Sequence, residues 1–188
     1  MTPTGIRLRH LSFHGPYRMP VTIDFGPGLN IIYGASNTGK SFVLDTVDFM
    51  LGGRGPLRDI PERVGYDRIL LAIETIDRRE FTLARSTEGG AFTAYDGLFS
   101  GSLPEGEGQV LAEQHSERRG DNLSTFLLSQ LGLTHRQIRR NKRGDLQSLS
   151  FRNIARMVDS WRFRKWSTER RQIVVAWFSS GWRRAAIV

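Results

Sequence analysis

Residues 34–41 read Gly-Ala-Ser-Asn-Thr-Gly-Lys-Ser, and this octapeptide limits the fold more than any other part of the chain. A short apolar run, residues 28–33, leads into it, and apolar residues at helical spacing follow it until Gly52 and Gly53. Glycines at both ends let the backbone curl until successive N–H groups point at one anion. The order of strand, loop and helix therefore predicts a Walker A phosphate-binding loop and not a glycine-rich turn before an ordinary helix.

The chemistry of this loop predicts a nucleotide with magnesium as the ligand. A helix that begins near Lys40 directs the positive end of its dipole at a bound phosphate. We expect Lys40 to reach the β and γ phosphates as the catalytic residue, and the Ser41 hydroxyl to bind Mg²⁺. The predicted ligands of ATP are Gly34, Ala35, Ser36, Asn37, Thr38, Gly39, Lys40, Ser41 and Phe42.

Length and composition fit a single soluble domain with an appended tail. The chain has 188 residues, of which 39% are hydrophobic, and it has no cysteine, which excludes disulfides and thiolate metal sites. No signal-peptide pattern is visible at the N-terminus. The longest uninterrupted apolar run, residues 173–178, is too short to cross a bilayer. We therefore expect a cytoplasmic protein without a membrane partner.

Alternating apolar residues predict five strands besides the one that enters the loop. Two precede it, at residues 6–13 and 21–25, and a hairpin follows at 69–74 and 80–85. The fifth strand is expected at residues 91–95, closed by a glycine turn. Strands and helices in this arrangement indicate an α/β fold.

The second half of the chain predicts one long loop and two helices. Residues 99–120 are rich in Gly, Ser and Glu and are typical of a loop. Asp121 is the expected cap of a helix that runs to Leu131, with Gly132 as its stop. Another helix is expected from Ser150, as its cap, to Val158.

Together these residues resemble the N-terminal lobe of the ABC-type ATPase heads found in structural maintenance of chromosomes proteins and in RecF-like and RecN-like DNA repair ATPases. Residues 23–34 look like the strand that enters the phosphate loop of that family, and residues 41–52 look like the helix that follows it. Residues 81–85, Gly90 and the turn at 95–97 look like the next strand pair. The similarity extends from about residue 6 to residue 158.

The resemblance implies a P-loop NTPase lobe over residues 1–158, with mixed antiparallel and parallel strands and without a C-terminal lobe. It implies ATP and Mg²⁺ as cofactors, DNA as a partner and, in intact relatives, a homodimer of heads that holds ATP between them. By the same resemblance Gln147, in a later loop, binds magnesium and senses the γ phosphate; a solvated glutamine is the alternative. No convincing Walker B strand, signature loop or switch histidine is present in the chain. We therefore expect ATP binding with little or no hydrolysis.

Residues 159–188 differ in composition from the rest of the chain. They contain all four tryptophans and carry seven basic residues against two acidic ones, within a chain of net charge +8. Three interpretations fit: a nucleic-acid arm, an amphipathic helix, or a tail translated out of frame. We favour the third, because 24 Arg against three Lys indicate a GC-rich gene, in which shifted reading gives Arg and Trp.

Two other functions compete with this interpretation. A small self-contained P-loop NTPase or kinase needs a carboxylate in place of Walker B, and Asp45, Asp48 and Glu74 are its candidates. A nucleic-acid-binding module would use the basic cluster at residues 135–143 together with the tail. By analogy with the family, Arg58 is a further candidate for contact with nucleic acid.

Overall fold

The computed structural model describes residues 5–35, 39–102, 105–116, 118–139, 144–155, 164–168 and 171–178. Its strands are β1 (Ile6–Gly15), β2 (Arg18–Asp24), β3 (Gly28–Ala35), β4 (Arg68–Thr75), β5 (Glu80–Ser86), β6 (Gly89–Asp96), β7 (Gln109–Leu111), β8 (Gln137–Arg139), β9 (Leu146–Ser148), β10 (Arg164–Thr168) and β11 (Arg171–Phe178). Helix α1 spans Lys40–Met50, helix α2 spans Leu123–Gln130, and a short 3-10 turn covers Pro61–Arg63.

A six-stranded sheet forms the centre of the fold, in the order β2-β1-β4-β5-β6-β7. The predicted strands before the loop and the predicted hairpin after it are confirmed as β1, β2, β4 and β5, and the strand at 91–95 is confirmed as β6. Each neighbour pair in this sheet is antiparallel. Short turns join β1 to β2, β4 to β5 and β5 to β6, whereas β3 and α1 intervene between β2 and β4.

One face of this sheet packs against the two helices in a single apolar core. Alternate residues of β1, β4 and β5, such as Leu11, Leu71 and Leu83, are fully buried there. Val47 of α1 and Leu127 of α2 belong to the same cluster. Burying one such side chain contributes about 1.5–3 kcal/mol, so this face holds the helices to the sheet.

The strand that enters the phosphate loop lies outside the central sheet. β3 pairs with β11 in a three-stranded sheet of order β10-β11-β3, with Tyr33 opposite Ile173. The expected parallel pairing is wrong for the described strands, whose ladders are all antiparallel; an isolated parallel bridge joins Ala112 to Asn122. The reason is that α1 carries the chain from β3 to β4, and β4 is inserted between β1 and β5 instead of beside β3.

Two details of the second half differ from the sequence-based expectations. The expected loop at residues 99–120 contains β7, which pairs with the edge of β6 and buries Leu111 completely. The cap of α2 is Asn122 and not Asp121: the Asn122 side chain accepts a hydrogen bond of 2.9 Å from the Thr125 N–H. The Asp121 carboxylate instead forms an ion pair with Arg119 at 2.9 Å.

The last predicted helix begins where the sequence indicates. Residues 151–155 are helical, and the Asn153 N–H donates to the Ser150 hydroxyl at 3.3 Å. The Asn153 side chain accepts in return from the Ser150 N–H at 3.0 Å, so Ser150 is confirmed as the cap. The expected end at Val158 lies outside the described residues. Within the described part of the chain, none of the helices is of a length and hydrophobicity that would cross a membrane.

The tail adds two strands to the sheet of the phosphate-loop strand. β10 and β11 form an antiparallel pair, and β11 follows the full length of β3. The boundary at residue 158 and the out-of-frame origin of the tail remain predictions. This pairing gives the tail a structural role, because β3 has no other partner among the described strands.

Removing residues 159–188 should therefore destabilise the protein. The truncated chain leaves the backbone N–H and C=O groups of β3 without β11, which creates an exposed edge that favours aggregation. We expect a lower thermal midpoint and aggregation on size-exclusion chromatography. Removing residues 179–188 alone is the matched control, since it keeps β10 and β11. Equal stability of the long truncation and the full chain would contradict a structural role for the tail.

Candidate functional site

The phosphate loop connects the end of β3 to the start of α1. β3 ends at Ala35 and α1 begins at Lys40, as the octapeptide predicts. Gly39 precedes the helix with φ 76°, a left-handed conformation that strains residues with a side chain. Ser36, Asn37 and Thr38, three of the predicted ligands, lie outside the described residues.

The turn that leads into β3 is held by an asparagine that the sequence analysis did not single out. The Asn30 side chain accepts from the Gly26 N–H at 2.9 Å and donates to the carbonyls of Gly26 and Gly28 at 3.1 and 3.2 Å. Gly28 itself has φ 91°. These bonds fix the direction in which β3 approaches the loop. In the sequence, an asparagine two residues after Pro27-Gly28 indicates a side chain that can hold this turn.

Lys40 is buried at the first position of α1, and only 5% of its surface is exposed. Its Nζ donates a hydrogen bond to the Ala35 carbonyl, so the ammonium group closes the loop across its two ends. The first turn of α1 contains no acidic residue. An anion at this helix terminus would therefore meet both a lysine charge and the positive end of the helix dipole.

Phe42 and Ser41 have different surroundings at the start of α1. The Phe42 ring is buried and stacks on Phe13 of β1, with 5.8 Å between the ring centroids. Its side chain therefore anchors the helix, which leaves the backbone N–H for the predicted contact with a phosphate. Ser41 is half-buried next to Lys40 in the first turn of the helix. Both ligand roles remain predictions.

The other end of α1 rests on Arg85 of β5, which the sequence analysis missed. Its guanidinium is fully buried between the rings of Phe49 and Phe92, 3.9 and 4.3 Å from their centroids. Nη2 lies 2.8 Å from the Glu113 carboxylate. Burial lowers the pKa of Arg85, although the hydrogen bond and charge of Glu113 act against that shift. Alternation along Phe81, Leu83 and Arg85 was the signal that this arginine faces the core.

The carboxylates proposed for a self-contained NTPase are in contact with arginines. Asp45 forms an ion pair with Arg58, so this arginine, a candidate for nucleic acid, contacts α1 instead. The Asp48 carboxylate accepts from Nη1 and Nη2 of Arg152, with Nη2 at 2.8 Å from Oδ2. The second pair ties α1 to the helical residues 151–155.

Glu74 is remote from the phosphate loop. Glu74 lies opposite Arg7 of β1. Ile69, five residues earlier in β4, lies opposite Phe13, and Phe13 stacks on Phe42 at the start of α1. The end of β4 near the phosphate loop is therefore the one at Ile69. Five residues of strand correspond to about 16 Å, so the structure does not bring Glu74 to the loop.

The Glu74 carboxylate is buried and faces three arginines. Oε2 accepts from Arg9 at 2.7 Å, and Arg7 and Arg78 lie at 3.6 and 3.5 Å. The hydrogen bond from Arg9, reinforced by the three positive charges, holds the pKa of Glu74 below its ordinary value, although burial acts in the opposite direction. Glu74 is therefore ionised in the folded protein at neutral pH.

Gln147 lies in strand β9 and not in the expected loop. It pairs with Ile138 of β8, and Gln137 of β8 pairs with Ser148 in the same two-stranded sheet. The three residues of β8 and the three residues of β9 pair with each other, which places Gln147 in a strand. The role of Gln147 as a magnesium ligand stays a prediction. In the basic cluster, Arg136 and Arg139 are exposed, and Arg140, Lys142 and Arg143 lie outside the described residues.

Comparison with known proteins identifies relatives of this chain. The family model of an AAA domain matches residues 10–160. DNA repair protein RecN of Aquifex aeolicus (strain VF5) is 39% identical over 67 residues. That match covers 35% of this chain and 12% of the relative, so the chain corresponds to a small part of that protein. No solved structure matches the chain significantly.

The arginine contacts of Glu74 predict a pH-dependent stability. Because its pKa is lowered in the folded state, the stabilisation is complete above the unfolded carboxyl pKa of about 4.3 and fades as the pH falls below it. Glu74→Gln should lower the free energy of unfolding by about 1–2 kcal/mol at pH 7. Urea unfolding at pH 7 and pH 3.5 should show the difference shrinking in acid. A difference that is constant with pH would contradict this assignment.

Proposed function

The chain belongs to the AAA domain family, and from that premise we propose that residues 34–41 bind Mg-ATP as part of a DNA-repair-type ATPase. The observation that carries the proposal is Lys40, buried at the start of α1 with its Nζ against the Ala35 carbonyl. A lysine charge held there lies where the phosphates of a nucleotide meet the helix terminus.

The binding groups divide into backbone and side-chain contributions. The loop backbone and the first N–H groups of α1 supply hydrogen-bond donors to the phosphates. Lys40 supplies a charge that is already buried, so little side-chain entropy is lost when the ligand arrives. Ser41 supplies a hydroxyl to Mg²⁺, and Gln147 is the proposed second protein ligand.

We assign ATP binding to this chain and hydrolysis to a complete two-lobe head. Phosphoryl transfer to water needs a group that orients the attacking water and a carboxylate that holds magnesium. Of the candidate carboxylates, Asp45 and Asp48 contact arginines. Glu74 is about 16 Å along β4 from Ile69, which is the end of this strand near the phosphate loop. In the complete protein two heads would hold ATP between them, as the resemblance implies. The isolated chain should therefore bind ATP with little turnover.

Calorimetry with Mg-ATP on the full chain tests this proposal. Lys40→Ala should remove measurable binding, because one lost charge-assisted bond to phosphate costs about 3 kcal/mol, or about 100-fold in affinity. Lys142→Ala is the matched control, since it removes the same charge outside the loop and should bind as the wild type does. Omitting magnesium should weaken binding by the wild type.

Three results would count against the proposal. A wild-type chain that gives no heat with Mg-ATP would refute binding, and equal affinity of Lys40→Ala and wild type would place the ligand elsewhere. Rapid ATP hydrolysis by the purified chain would refute the division between binding here and hydrolysis in a complete head. That last result would favour a self-contained NTPase.

DNA is the second ligand that we propose. The support is the name of the RecN relative together with Arg136 and Arg139, which are exposed on and beside β8. Arginines on such a surface bind phosphates without reading sequence. A module of this kind would bind DNA in the absence of ATP.

Fluorescence anisotropy with duplex DNA at several salt concentrations measures the contribution of phosphate contacts to DNA affinity. The logarithm of the affinity should fall linearly with the logarithm of salt concentration, by about 0.9 for each phosphate neutralised. Replacing Arg136 and Arg139 together with Gln should reduce the slope by about 2, whereas Arg119→Gln, in an ion pair with Asp121, should leave it unchanged. If the double variant shows the same salt dependence as the wild type, Arg136 and Arg139 are not part of a DNA-binding surface.

A further inference from the structure

Arg85 joins helix α1 to the central sheet at a point with no access to water. The side chain is 0% exposed, and its guanidinium lies between two aromatic rings, one from α1 and one from β6. Phe49 belongs to the last turn of α1, and Phe92 lies in the neighbouring strand. The cation therefore fills the space between helix and sheet, which apolar side chains fill elsewhere in this core.

The hydrogen bonds of Arg85 go to the end of α1 and to the turn after it. Nη1 donates to the Phe49 carbonyl at 2.8 Å and to the Gly53 carbonyl at 3.3 Å, and Nε donates to the Gly90 carbonyl at 3.3 Å. The last carbonyls of a helix have no partner within it, and the Phe49 carbonyl accepts from the Gly52 N–H at 3.3 Å as well as from Arg85. Its charge also faces the negative end of the helix dipole.

We propose that Arg85 is a positioning residue for the phosphate loop, which it holds in place through α1. This inference rests on the proposed binding of Mg-ATP at residues 34–41. The guanidinium would not touch the nucleotide. It would fix the far end of the helix whose first residue carries the phosphate-binding lysine.

Helix α1 is short and rigid enough to transmit this restraint. Its 11 residues span about 16 Å, and the stack of Phe42 on Phe13 holds its first turn to β1. With both ends attached to the central sheet, α1 is held in direction as well as in position. If the last turn loses its anchor, the helix can tilt about Phe42, and Lys40 then moves relative to Ala35 at the end of β3.

The packing around Gly53 indicates that this end of α1 fits closely. A Cβ atom on Gly53 would lie 2.7 Å from the Asp48 carboxylate and 3.0 Å from the Phe49 Cα. The Gly53 N–H also donates to the Asp48 carbonyl at 2.8 Å. A side chain at this position must displace the last turn of the helix. Gly53→Ala therefore disturbs the contact between the last turn of α1 and the sheet without changing Arg85.

The experiment compares variants on the two faces of β5. Arg85→Lys keeps the positive charge but loses the planar group whose Nη1, Nη2 and Nε separately contact the end of α1, the Glu113 carboxylate and the Gly90 carbonyl. Thr82→Val is the matched control: Thr82 is buried on the opposite face, where it bonds to the Gly97 carbonyl at 2.7 Å, so its loss destabilises the fold away from α1. Each variant is assayed for its thermal midpoint, its Mg-ATP affinity at 10 °C, and hydrogen exchange at the Val43 amide.

We expect Arg85→Lys to weaken Mg-ATP binding about tenfold and to speed exchange at Val43 more than at amides of β4. The Val43 N–H bonds to the Gly39 carbonyl at 3.2 Å, so its exchange reports the first turn of α1. Thr82→Val should lower the thermal midpoint and leave both readouts within twofold of the wild type. If Arg85→Lys does not fold, Gly53→Ala is expected to give the same two effects.

Wild-type affinity and wild-type Val43 exchange in a folded Arg85→Lys or Gly53→Ala variant would overturn the inference. An equal loss of affinity in Thr82→Val would also overturn it, because general destabilisation would then explain the effect. Failure of the proposed function is recognised separately, since the wild-type chain then gives no binding and resembles Lys40→Ala. Exchange at Val43 still decides in that case whether Arg85 restrains the first turn.

Discussion

A guanidinium buried away from water must find its hydrogen-bond acceptors inside the protein, and Arg85 finds them at the end of α1. Removing an ion from water costs several kcal/mol, which good geometry and complementary charge must offset. Two aromatic faces, three backbone carbonyls and the Glu113 carboxylate supply these interactions. The same contacts join β5, β6 and the segment after β7 to the helix, so this side chain anchors the last turn of α1 while apolar packing holds the rest of the helix.

The phosphate loop lies where two sheets meet. β3 belongs to the sheet with β10 and β11, whereas α1 is anchored to the six-stranded sheet through Phe42 and Arg85. Lys40 connects the two through its bond to the Ala35 carbonyl. A phosphate held by both ends of the loop would therefore also hold the two sheets together, and this links ligand binding to the stability of the fold.

Local patterns predicted most elements because they need no knowledge of distant partners. Alternation identified β1, β4 and β5, and helical spacing bounded by glycines identified α1. β7 was missed because three residues of strand depend on pairing with β6. The pairing of β3 with β11 joins segments more than a hundred residues apart, which no local pattern specifies. Arg85 was missed because arginine is almost never fully buried, although its place in the alternation faces the core.

Distance is a stronger argument against ATP hydrolysis by this chain than ion pairing is. The pairs of Asp45 and Asp48 are partly exposed, and such pairs contribute only about 0–1 kcal/mol, so a magnesium ion would compete with the arginines easily. Their position on α1 is the stronger obstacle: they follow Lys40 by about 7.5 and 12 Å along the helix axis, away from the phosphate end. Beside β3 the described strand is β11, which belongs to the tail and contains no acidic residue, so β11 supplies no carboxylate for magnesium.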